Sequence, residues 1–245
     1  MHKAYPHLSK PPLREALIDI RLAVPLAQTL LRRLDVQTLS GLKRVGDIKT
    51  GALTVKLGSE ELAHTSVATA ETVGARFDNA DRSRAAQLRR DGMTFSVLKN
   101  YTSWKSFRAE AYEVWQAFLS LADNVIVNRV AVRYVNAINL PFGEDSDSYL
   151  GAGPRIPSEL PQIFNAFFTR VVVPLPELAG YVIITQASEP VTDAGFPTIL
   201  DIDAVSEASF EGGDANLWSR LDQLSVMKNR AFFSSLTPRA LELYR

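Results

Sequence analysis

Apolar and polar side chains alternate along residues 16–22 (ALIDIRL), the period-two pattern of a strand with one buried face. Pro25 then opens a helical pattern with Leu26, Leu30, Leu31 and Leu34 on one face. Residues 51–58 (GALTVKLG) and 67–77 read as further strands, and residues 85–99 as a hairpin turning at Asp91-Gly92, a dipeptide tolerant of positive φ. After Thr102 or Ser103, either able to cap, Trp104, Phe107, Ala111, Val114, Trp115, Phe118 and Ala122 keep the spacing of one buried helical face. That helix is expected to lie on the sheet.

Residues 128–141 form a long strand, and residues 142–161, rich in Gly, Pro, Ser and acidic side chains, read as a linker or mobile loop after which a second half begins. Residues 165–175, 180–188 and 197–206 supply three more strands, and Asp214 caps a long helix bearing Leu217, Leu221, Leu224, Ala231 and Phe232. Thr237-Pro238 starts a short last helix. The expected fold is α+β: a largely antiparallel sheet with long helices packed on one face. Residues 1–245 would form one globular unit with halves 1–141 and 162–245, and YTSWKSF echoed in ANLWSRL hints at duplication. A curved sheet gripping the C-terminal helix is an analogous arrangement that periodicity does not distinguish.

The strand at residues 128–141 (NRVAVRYVNAINLP) is interrupted by arginine and asparagine. Its phase places Val130, Val132, Tyr134, Asn136, Ile138 and Leu140 on one face, and Arg129, Arg133 and Asn139 on the other. Asp19 and Arg21 share a non-core face in the first strand, as do Asp201 and Asp203 in LDIDAV. Two readings follow. Such charges can be cross-strand pairs on a solvated sheet face. Alternatively Arg133 and Asp201 or Asp203 form a partly enclosed cluster, flanked by the small Ala131 and Ala137, that binds a ligand or partner. Asn136, on the apolar side, would serve a bulge or a neighbouring helix end, or join the binding candidates.

Composition narrows the chemistry. The 245 residues are 46% hydrophobic and 22% charged, within the globular range, and contain no cysteine. Disulfides, thiolate metal sites and a cysteine nucleophile are therefore excluded, and a cytoplasmic setting is expected. The N-terminal residues lack the apolar run of a signal peptide, and no stretch suggests a membrane span. Net charge is zero, yet residues 1–122 carry 18 Lys+Arg against 12 Asp+Glu while residues 123–245 carry 9 against 15. Opposite potentials of this kind draw two halves together, or favour contact between two molecules.

His2, His7 and His64 are too scattered for a zinc site, and neither a phosphate-cradling glycine loop nor a G-x-S-x-G elbow occurs. No metal, cofactor or catalytic residue is expected. Arg82, Arg84, Arg89 and Arg90 near Phe95 and Tyr101 have the mixture found in single-strand binders, but Asp78, Asp81 and Asp91 interleave and blunt the field, so nucleic acid is not an expected partner.

KPPLREALIDIRL, LRRDGMTFSVLKNYTSW, VAVRYVNAINLP, LDIDAV and FFSSLTPRALELY together resemble a sporadically distributed bacterial family of unknown function and about this chain's length. The resemblance covers nearly the whole chain and brings no catalytic assignment. Where that pattern often has Leu-His in its last long helix, this chain has Leu224-Ser225. The resemblance implies an interaction or regulatory protein with a protein partner or self-association, in an accessory setting such as defence or a toxin–antitoxin pair. A small-molecule binder or an unfamiliar enzyme using the charged strand face is the alternative.

Overall fold

The computed structural model describes residues 5–6, 8–35, 39, 41–55, 66–141, 144–162, 164–193 and 195–245. Its strands are β1 (Leu13–Leu22), β2 (Lys43–Val55), β3 (Ser66–Asp78), β4 (Arg84–Arg89), β5 (Gly92–Val97), β6 (Ile126–Leu140), β7 (Phe168–Leu175), β8 (Gly180–Ser188), β9 (Phe196–Ser206) and β10 (Phe210–Glu211). All pair antiparallel in one sheet ordered β2-β3-β4-β5-β1-β6-β9-β8-β7, with the short β10 on β6. The long helices are α1 (Trp104–Leu119) and α2 (Ala215–Ser235), followed by α3 (Pro238–Glu242). An α+β fold built on an antiparallel sheet is thus as expected.

Alternation decides the faces. Ala16, Ile18, Ile20 and Leu22 of β1, the whole set Val130 to Leu140 named above for β6, and Leu200 and Ile202 of β9 are buried. Phe107, Val114, Trp115 and Phe118 of α1 and Leu217, Leu221, Leu224 and Phe232 of α2 belong to the same hydrophobic cluster as the apolar members of that set. Phe107 packs against Phe95 of β5 and Tyr134 of β6, with ring centroids 5.9 and 6.3 Å apart. The Trp104 indole N–H donates to Asp222 at 2.7 Å, and Tyr112 meets Trp218 edge-on, so α1 and α2 touch. Trp104 itself is only half-buried.

The helix starts lie where capping chemistry places them. Ser103 accepts from the Ser106 amide, Asp214 from Asn216 and Thr237 from Ala240, each satisfying a donor that the first turn leaves free. The segment after Pro25 differs from an α-helix: Gln28–Asp35 is a 3-10 helix. Leu31 and Leu34 of its predicted apolar face have side chains outside the described set, as do all three histidines and residues 56–58 of the predicted second strand.

The hairpin turn is displaced by one residue. Arg89 pairs with Gly92, leaving Arg90-Asp91 as the two-residue loop. Gly92 has φ +139°, and a Cβ there would stand 2.0 Å from the Ile20 carbonyl oxygen, so glycine is required by contact with β1 as well as by the bend. The polar segment 142–161 is more than a connection. Tyr149 and Leu150 are buried, Leu150 bridges to Leu236, and the Gly151 amide donates to Ser235 at the end of α2.

Candidate functional site

The charged strand positions converge on the sheet face opposite the core. Arg133 stands directly across from Asp203 in the β6–β9 register but bonds its diagonal neighbour, donating Nε and Nη2 to the two oxygens of Asp201 at 2.8 and 2.6 Å. This fork-on-fork geometry holds the guanidinium proton more tightly than usual, through the Asp201 bonds first and against the cost of burial. Arg129 lies 3.6 Å from Asp203 Oδ2. Asp203 Oδ1 is buried with no hydrogen-bond partner among the described residues. Burial pushes the Asp203 carboxyl up to about 6 against the pull of Arg129 and Arg133.

The centre of the cluster is Asp19, which the sequence placed on this face without marking it as a candidate. It is 6% exposed, and four donors from four strands meet it. Oδ1 accepts from Thr94 at 2.6 Å and Arg89 at 3.2 Å, and Oδ2 from Arg129 at 2.7 Å and Arg21 at 2.9 Å. An aspartate between Ile18 and Ile20 was the available signal, since strand interiors disfavour that residue unless a partner compensates. The short aspartates sit at the sheet surface while the longer arginines lie over them. Asp78 receives Arg76 in the same manner, at 2.8 Å.

Asn136 is separate from this cluster. It lies on the core side, opposite the register shift between Leu13 and Glu15 where β1 carries an extra residue. Its amide donates to the Leu200 and Tyr134 carbonyls at 3.0 and 3.3 Å, which satisfies a buried polar group beside an irregular ladder. Nearby, Lys228 of α2 is buried 3.5 Å above the Tyr134 ring and donates to Asn229 at 2.6 Å; burial pushes its ammonium down to about 7. The Tyr134 hydroxyl donates to Tyr101 at 2.7 Å, and burial raises the Tyr134 phenol well above its ordinary value.

Chemically the charged face is largely self-saturated. Asp19 and Asp201 spend both oxygens on donors, while Asp203 keeps one oxygen without a hydrogen-bond partner among the described residues. A cleft of about 820 Å³ lies elsewhere, past the end of β6, with Phe164 and Phe196 in one wall and Asp145 and Asp147 at another.

Among the described residues the sheet has two edges. β2 is one edge and carries Lys43, Arg44, Asp47 and Lys49. The other, β7, exposes Phe168 at 68%, Val171 and Val172 at 54% each and Val173 at 39%. The sequence marked β7 only as a strand, because an edge and an interior strand of the same composition look alike in one dimension. Comparison with known proteins supplies no relative: no family model, no curated protein and no solved structure matches the chain.

Proposed function

We propose that this chain is a protein-interaction module that accepts an extended partner segment along the open edge of β7. The supporting observation is the exposure of Phe168, Val171, Val172 and Val173 on a strand that, among the described residues, is paired on one side only. An edge strand presents a row of unpaired amides and carbonyls, and apolar side chains beside it supply the contact area that strand addition needs. Most edges in isolated proteins are blunted by charge, as β2 is. β7 has one charge, Arg170.

In this reading the chain is two tandem β-rich halves, each closed by a long helix, with both helices on the core face. The strand order supports it: β2 to β5 form a meander whose last strand returns to β1, and β7 to β9 form one whose last strand returns to β6. Contacts of both Phe107 and Lys228 with Tyr134 support a shared helix face. The Asp19–Arg lattice then ties β1, β4, β5 and β6 together within the first half, and Arg133 and Asp201 join the halves across the β6–β9 pairing rather than serve a ligand.

Amide hydrogen exchange on isotope-labelled chain, in buffer and in cleared extract of the source organism, tests the edge. Slowing confined to the edge-facing amides of β7 in at least one concentrated or extract condition is expected. Exchange at exposed rates under every condition would rule the edge out as the working surface.

A further inference from the structure

The covalent structure of β7 sets which of its backbone groups are free. Pro174 pairs with Tyr181 but has no N–H, so this pair cannot exchange hydrogen bonds. Bonds to β8 therefore fall on Thr169, Val171, Val173 and Leu175. The N–H groups of Phe168, Arg170 and Val172, and the carbonyls of Phe168, Arg170, Val172 and Pro174, point away from β8. On the helix side, Val171 and Val173 continue the rows of Ile184–Ile202 and Val182–Ala204, while α2 lies chiefly over β9 and β6. Both valines stay exposed at this end of the face.

Resting on the edge reading above, we infer that the occupant of this edge is a second copy of the chain, with β7 pairing antiparallel to β7 about a two-fold axis through Val172. In that register Val172 faces Val172 of the second copy as a hydrogen-bonded pair, and each Arg170 N–H donates to the opposite Pro174 carbonyl. Four interchain bonds form, using two of the three outward N–H groups of each strand. The missing donor of Pro174 costs one bond at each end. Val171 of each copy meets Val173 of the other, extending the apolar rows across the axis.

Charge agrees with this register. The two Arg170 side chains are four positions apart along the ribbon, about 13 Å at the strand rise and so beyond the Debye length at physiological salt. Glu177 of the second copy, of opposite sign, lies about three positions along the ribbon from each Arg170 and so nearer than the other Arg170. An isologous pairing of this kind closes as a dimer and leaves the charged β2 edges outside, whereas pairing β7 to β2 would propagate.

Sedimentation velocity on the full chain, from about 1 to 500 μM, tests it, since a small ribbon interface implies a micromolar dissociation constant. The wild type should pass from monomer to dimer across that range. Val172→Lys and Val172→Glu, at a half-exposed position that leaves the core untouched, should each stay monomeric with wild-type circular dichroism, because like charges meet on the axis. An equimolar mixture of the two should dimerise more tightly than the wild type. Amide exchange of Arg170 and Val172, but not Val171 and Val173, should slow with concentration.

A wild type that remains monomeric with exposed exchange at Arg170 and Val172 overturns the self-pairing. So does a wild-type dimer unaffected by either variant, or variants whose mixture fails to pair. If those two amides are then protected only in extract, the edge still works and its partner is another protein. If they are protected nowhere, the proposed function fails with it.

Discussion

Replacing Asp203 with asparagine should stabilise the protein at neutral pH and leave it unchanged in acid. The carboxyl rises from its ordinary 3.8 to about 6, chiefly through burial, so the folded chain holds that proton more tightly than the unfolded one. Between these values the native state binds more protons, and stability falls as pH rises. Below about 3.8 the penalty is absent; above about 6 it is complete. At roughly 1.4 kcal/mol per pH unit it reaches about 3 kcal/mol, an upper figure because the site can relax or admit water. This balance already includes the attraction of Arg129 at 3.6 Å and of Arg133. Asp203→Asn removes the charge in a side chain of the same shape. Urea titrations of both proteins at pH 4, 5, 6 and 7.5 should show the variant gaining on the wild type with each step, by about 1–3 kcal/mol at the last. A variant less stable by more than about 1 kcal/mol at pH 7.5, with a gap independent of pH, would refute the reasoning. Asp203 would then be a carboxylate held ionised by its arginines.

Phe118→Ala should cost about 3–5 kcal/mol in urea titration, since the ring is buried and stacked on Trp115 at 5.3 Å, and a loss under 1 kcal/mol would contradict the packing of α1. A double-mutant cycle of Arg133→Ala with Asp201→Asn should give a coupling of about 1 kcal/mol, because the pair is bidentate but Arg133 is half-exposed; the cycle with Asp203→Asn should give less. Lys228→Met should stabilise most near pH 6 and least near pH 10, as a buried base with its value lowered to about 7 penalises the folded state below that pH and releases the penalty as pH climbs. Single-stranded DNA and RNA should not bind with sub-micromolar affinity at about 150 mM salt in fluorescence anisotropy. Three of the four arginines concerned are engaged: Arg84 with Glu110, Arg89 with Asp19 and Asp91, and Arg90 with Glu71.

Period-two alternation in β1, β6 and β9 was enough to separate the buried face from the charged one, because side-chain direction in a strand is set by backbone geometry alone. The caps at Ser103, Asp214 and Thr237 were legible for a similar reason: each acts within three residues of itself. The choice of Asp201 over Asp203 by Arg133 was not legible, since it depends on the stagger of two strands joined through more than fifty residues of intervening chain. Nor was the gathering of Arg21, Arg89, Arg129 and Thr94 on Asp19, which requires β4, β5, β1 and β6 to lie side by side in an order that chain sequence does not follow. The same holds for the edges. Residues 168–175 read as a valine-rich strand wherever it might sit, and only the assembled sheet places it last, with one side of its backbone unpaired. Local rules determined the elements and their faces, while position in the sheet, a property of contacts distant in sequence, decided which charges meet and which strands of the described residues lie at an edge.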